Sequence, residues 1–202
     1  LISEDTYQTI NKSTEPVLFK DKNSKFFGYA FPVLTEDDVK LSLEIVKKEH
    51  HSARHWCYAY QIGTEQIHYR ANDDGEPSNS AGMPIYGQIQ SFNVTNILII
   101  VVRYFGGVKL GVGGLINAYR QTAQLALESA TIIEKTININ YQITFDYKNM
   151  NVVMRRIKEH QINIINQKLE LNCQITISVR KTESEKIFEI FNSIFEVKIK
   201  AI

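Results

Sequence analysis

Between Val101 and Leu115 the chain reads Val101-Val102-Arg103-Tyr104-Phe105-Gly106-Gly107-Val108-Lys109-Leu110-Gly111-Val112-Gly113-Gly114-Leu115. An apolar run with the character of a buried strand breaks into a glycine-dense loop and passes straight into a helical pattern, so strand, loop and helix follow in immediate succession. Five glycines in nine residues exceed what an ordinary loop needs. Glycine serves where φ must be positive or where something must approach the backbone closely, and successive N–H groups ahead of a helix can bind an anion. Two readings stay open. Gly106, Gly107, Gly111, Gly113 and Gly114, with Arg103 and Lys109, form a site for a phosphate of RNA or of a nucleotide, or they make a tight connection with close helix packing. The spacing is not that of a P-loop, which excludes an NTPase of that type.

A second loop, Asp73-Asp74-Gly75-Glu76-Pro77, carries the opposite charge. Asp73, Asp74 and Glu76 could gather a Mg²⁺ ion or act as an acid/base pair. Alternatively they face the positive end of a helix beginning near Ser80, with Gly75 and Pro77 setting the turn. The second reading is favoured, because adjacent acids point apart unless the turn converges them. Pairing with Arg103 would tie the two loops into one site.

Composition sets outer bounds. The chain has 202 residues, 44% of them hydrophobic, enough for one large or two small domains with a buried core. A formal net charge of +1 gives no global field for nucleic acid or an anionic membrane, so any such contact needs a local patch. Cys57 and Cys173 stand far apart and form no metal-type pair, a usage suited to a reducing compartment. The first nine residues lack a basic start followed by an apolar block, and no apolar run reaches the roughly 18 residues of a membrane span. The expectation is a soluble cytoplasmic protein with no membrane partner.

Residues 9–34 read as a strand meander. Thr35 caps a helix that opens on Glu36, Asp37 and Asp38 and closes near Lys47 and Lys48. Strands over residues 55–62 and 66–71 join through Gly63-Thr64-Glu65, and Ser80 is placed to cap a helix with Ala81, Ile85 and Ile89 on one side, Pro84 being tolerated in its first turn. After the strand over 94–103 and the glycine loop, Ile116, Tyr119, Ala123, Ala126 and Ala130 mark a long helix. Beyond Glu134 the texture changes. Ile137, Ile139, Tyr141, Ile143 and Phe145 alternate with polar residues, the signature of a half-buried strand. A helix over 148–160, strands over 162–168 and 171–180, a helix over 183–194 and a strand over 195–199 complete a β-α-β-β-α-β order of ferredoxin-like type. The fold class is α+β in two domains, 1–135 and 136–202.

The two-part pattern of Asp73-Asp74-Gly75-Glu76-Pro77-Ser78 and Ala81-Gly82-Met83-Pro84 with Val102-Arg103-Tyr104-Phe105-Gly106-Gly107 and Gly113-Gly114-Leu115 resembles the IMPACT/YigZ family. The resemblance is strong over residues 51–119, and similarity in length and layout extends over the chain. It implies an N-terminal β-α domain like the second domain of ribosomal small-subunit protein five, and a C-terminal domain like the last domain of elongation factor G. Relatives have Gly-Thr where this chain has Asn79-Ser80, and a basic residue where Asn117 stands. The resemblance further implies a non-enzymatic regulator linked to translation, binding RNA or the ribosome through the basic glycine loop and requiring no cofactor. The alternatives are a metal-assisted enzyme acting on a small phosphorylated substrate through Asp73, Asp74 and Glu76, and an interaction module docking on a translation-regulator protein.

Three further groups have a functional and a structural reading. His51, His55 and Cys57 could be a zinc trio or a nucleophile pair, but a packed cysteine beside a histidine is the ordinary outcome. Trp56, Tyr58, Tyr60, Tyr69, Tyr104 and Phe105 could stack on bases, or pack a sheet. Arg155, Arg156 and Lys158 make a basic helix face of the kind that is usually solvated.

Overall fold

The structure, a computed structural model, describes residues 5–202. Residues 1–4, which open the segment read for a targeting signal, lie outside the described residues. Contacts divide the chain into a larger unit, Tyr7–Lys135, and a smaller one, Thr136–Ile202 with Asp5 and Thr6.

The larger unit is built from β1 (Thr6–Ile10), β2 (Val17–Asp21), β3 (Ser24–Pro32), α1 (Glu36–Glu49), β4 (His55–Ile62), β5 (His68–Asn72), α2 (Gly82–Ser91), β6 (Ile97–Tyr104), α3 (Gly111–Ser129) and β7 (Ile132–Thr136). Five strands form one antiparallel sheet in the order β2-β3-β6-β4-β5. β2 and β3 are a hairpin turned through Lys22 and Asn23, both at positive φ, as a two-residue turn requires. β1 does not continue that meander; it pairs with β7 in a sheet of two strands.

β6 lies in the middle of the five strands, and the reason its sequence does not alternate is visible in the packing. Ile97, Ile99 and Val101 enter the core shared with α2 and α3, while Leu98, Ile100 and Val102 enter the one shared with Val39 and Val46 of α1. A strand covered on both faces must be apolar at every position. α1 starts where the sequence marks it. Thr35 Oγ1 accepts from Asp38 N, and Asp38 Oδ2 accepts from Thr35 N and Leu34 N, a reciprocal capping box.

The smaller unit runs β8 (Asn138–Asp146), α4 (Met150–Glu159), β9 (Asn163–Lys168), β10 (Asn172–Arg180), α5 (Ser184–Asn192) and β11 (Val197–Ala201), with strand order β11-β8-β10-β9. This is the split βαβ arrangement. Tyr141, Ile143 and Phe145 of β8 sit opposite Ile177, Ile175 and Cys173 of β10, and all six are buried beneath Val153, Ile157, Ile187 and Phe191 of the two helices. The last strand begins two residues later than residue 195, because Glu196 turns the chain at positive φ and leaves Phe195 83% exposed. Among the described residues no helix is long and apolar enough to cross a membrane.

Candidate functional site

At one end of the five-stranded sheet the register sets Phe26 of β3, Arg103 of β6 and His55 of β4 side by side. The acidic loop leaves β5 at this end, and the glycine loop leaves β6 here. The two loops meet through one ion pair: Arg103 Nη1 donates to Glu76 Oε1 at 2.6 Å, with side chains only 8% and 4% exposed. Tyr119, from the third turn of α3, donates its hydroxyl to the same oxygen at 2.8 Å. One carboxylate oxygen therefore holds together β6, α3 and the acidic turn.

The other two acids are also engaged by protein donors. Asp73 Oδ1 accepts from Ala81 N and Gly82 N at 2.9 and 2.8 Å, and its Oδ2 accepts from Asn79 N at 2.8 Å. Asp73 is thus the cap of α2, supplied from eight residues upstream. Ser80, expected in that role, is displaced from it: its hydroxyl donates to the Pro77 carbonyl at 2.6 Å, and Ala81 stands at the N-cap position. Asp74 Oδ2 accepts from Trp56 N at 2.7 Å, its carbonyl takes the His55 Nδ1 proton at 2.8 Å, and its N–H donates to Asn72 Oδ1 at 2.7 Å. Among the described residues no three His, Cys, Asp or Glu side chains are placed to hold a metal ion.

Cys57 is fully buried; its thiol donates to the Asp73 carbonyl at 3.0 Å and lies 3.3 Å from the Tyr119 hydroxyl. Burial pushes the thiol pKa well above its ordinary value, and Glu76, Asp74 and Asp73 push it further. The Tyr119 hydroxyl is driven up by the same burial, reinforced by Cys57 and Glu76. Both groups stay protonated and serve as hydrogen-bond donors, so Cys57 has no thiolate with which to attack.

The glycine loop divides into positions with different reasons to be glycine. Gly106 is seated on the β2–β3 turn: its N–H donates to Ser24 Oγ at 3.1 Å, and a Cβ there would lie 2.1 Å from the Asn23 carbonyl carbon. Gly107 and Gly111 have φ of +85° and +73°. A Cβ at Gly114 would press on Leu110 Cβ at 3.0 Å. Gly113 has neither reason: it is exposed, lies in the first turn of α3, and among the described residues nothing comes within 4 Å of where a Cβ would be. Among the described residues no side chain caps the start of α3, and its first turn holds no acid. Lys109 is exposed, with no ion pair among the described residues.

Arg103, near the end of β6, lies beneath the surface, whereas Lys109 is exposed. Its guanidinium carbon sits 5.6 Å from the ring centroids of both Phe26 and Phe105. Of the aromatics, Tyr60 is buried and held by Glu36, which pushes its pKa to about 12, and Tyr69 stacks on Tyr86 at 4.3 Å. Phe105 is 58% exposed. Tyr119 was readable in the sequence only as a core position of α3; nothing in its helical spacing marks its hydroxyl as a partner of Glu76.

The family model for the Impact N-terminal domain matches residues 22–127. An IMPACT family member of Haemophilus influenzae is 33% identical over 184 residues, which is 88% of this chain and 86% of that protein. The IMPACT family member YvyE of Bacillus subtilis is 30% identical over 197 residues, 96% of this chain and 90% of its own length. The crystal structure of a hypothetical protein superposes with a TM-score of 0.74 at 26% identity, covering 98% of each chain.

Proposed function

The chain belongs to the IMPACT family, and from that premise we propose that it acts in translation by binding RNA phosphates, on the ribosome or off it, with the loop between β6 and α3. The observation that carries this reading is Gly113. A glycine in the first turn of a helix costs about 1 kcal/mol against alanine, yet neither conformation nor packing calls for one at this position. An approaching ligand does: without a Cβ, a phosphate can come up to the uncapped N–H groups of α3, where the helix dipole favours an anion. Lys109 supplies the full positive charge beside them. Arg103 is the strut of the site; paired with Glu76, it sets where the loop leaves the sheet.

The test is co-sedimentation with RNA and with ribosomes across a salt series. Wild-type binding falls steeply as salt rises, and Lys109→Glu weakens it and reduces the slope of log K against log salt by about 1. Gly113→Ala separates the ligand reading from a structural one. The variant folds at least as stably as the wild type, by up to about 1 kcal/mol, and binds RNA more weakly. Unchanged binding by Gly113→Ala, or none by the wild type at low salt, overturns the proposal.

A further inference from the structure

Behind the glycine loop, at the same end of the sheet, lies a cavity of about 280 Å³ lined by Ser52, Arg54, His55, Arg103, Tyr104 and Phe105. Its volume sits just below the range of roughly 300–1,000 Å³ typical of small-molecule sites. It admits one small ligand and no folded strand. Three features of its wall describe that ligand. Arg103 is nine-tenths buried, and among the described residues its Nε has no hydrogen-bond partner. Arg103 lines the cavity as a buried cation, and an anion in the adjoining space is drawn to its charge. Arg54 is exposed at the rim, with no ion pair among the described residues, so a second guanidinium stands ready. His55 has its Nδ1 proton committed to the Asp74 carbonyl, which accepts only, and that leaves Nε2 for a ligand.

The remaining feature is a flat apolar surface. Phe105 has Arg103 at 5.6 Å from its ring centroid, yet more than half of the residue is open to solvent. A ring held against a cation and more than half open to solvent is a platform for a planar group. Glu76 neutralises one charge of the wall through Arg103, and Arg54 supplies the net positive charge that remains.

We propose that this cavity binds one nucleoside monophosphate, with the phosphate between Arg54 and Arg103 and the base stacked on Phe105. The proposal does not depend on the RNA reading, although the cavity shares Arg103 and Phe105 with the base of the glycine loop. The nucleotide is either free or the phosphorylated end of a strand, since the two present the same groups.

The experiment follows amide NMR shifts of His55, Tyr104 and Phe105 at fixed ionic strength while adenosine or uridine 5′-monophosphate, uridine, or inorganic phosphate is added. The expected result is saturable binding of the monophosphates, about tenfold or more tighter than of uridine or of phosphate alone. Arg54→Gln weakens it by about tenfold, and Phe105→Ala reduces it to the affinity of phosphate alone. Both replacements are at exposed positions and leave the fold intact. In Lys109→Glu protein, where RNA binding by the glycine loop is weakened, short RNAs with and without a 5′-phosphate identify the source. Preference for the phosphorylated strand assigns the cavity to strand ends, and equal weak binding of the two assigns it to free nucleotide. Phosphate binding as tight as nucleotide binding, Arg54→Gln behaving as wild type, or no shift at millimolar nucleotide each overturns the proposal.

Discussion

Glu76 Oε1 accepts from Arg103 and from Tyr119, and both donors lose their partner together if the carboxylate is removed. Glu76→Ala leaves a buried guanidinium uncompensated and is expected to cost about 3–5 kcal/mol, read as a lower urea midpoint at constant m. Combining Glu76→Leu with Arg103→Met recovers most of that loss, since a buried pair exchanged for apolar groups is often neutral. Asp73→Ala costs about 2 kcal/mol, the upper end for a lost cap, because three backbone N–H groups lose their acceptor. The types and positions of these acids were legible in the sequence, and their division of labour was not. Arg103 and Glu76 are 27 residues apart, and only the tertiary course of the 73–81 loop brings them together. Tyr119 carried a helical spacing that explains its ring and is silent about its hydroxyl.

Elements were legible to the extent that their signals are local. Thr35 with Asp38 announces α1, and strict alternation announces β8, because cap and pleat are decided within a few residues. The start of α2 was misplaced onto Ser80 because its cap comes from outside the element, from Asp73. α1 also has a titrating end. His50 follows its last turn, with Nε2 2.5 Å from the Tyr29 hydroxyl and Nδ1 3.0 Å from that of Tyr104. Tyr29 gives its own proton to Glu49, so Nε2 is the donor to Tyr29 and Nδ1 accepts from Tyr104. Burial holds the His50 pKa below its ordinary 6.5, against the pull of Glu49. A depressed histidine pKa stabilises the fold fully above about pH 6.5, and that contribution is lost as pH falls below it through the folded value. Urea titrations at pH 7.5 and 5.5 are expected to show lower stability at the acid end, with a smaller difference in His50→Gln. Gly106→Ala, which drives a Cβ into the Asn23 backbone, costs about 1–3 kcal/mol by overpacking and frees the loop from the β2–β3 turn.

At the scale of the molecule the change of texture after Glu134 was legible because the two units have separate cores, each written in its own periodicity. Ile175→Ala, deep beneath α4 and α5, is expected to cost about 2–5 kcal/mol. Hydrogen exchange should register it in β8 and β10 and leave the protection of β6 as it was. β6 itself carries a hazard. Ile97-Leu98-Ile99-Ile100-Val101-Val102 is six residues without charge, proline or glycine, the composition of a segment that assembles into cross-β fibrils when bare. In the folded chain it is flanked by β3 and β4 and roofed on both sides. Both flanking strands precede it in the sequence, so during synthesis its edges find partners already made and its stickiest stretch is the last strand of the sheet to emerge. A circular permutant that placed β6 ahead of β3 and β4 would reverse that order, and its yield of soluble protein would fall while the finished fold stayed the same.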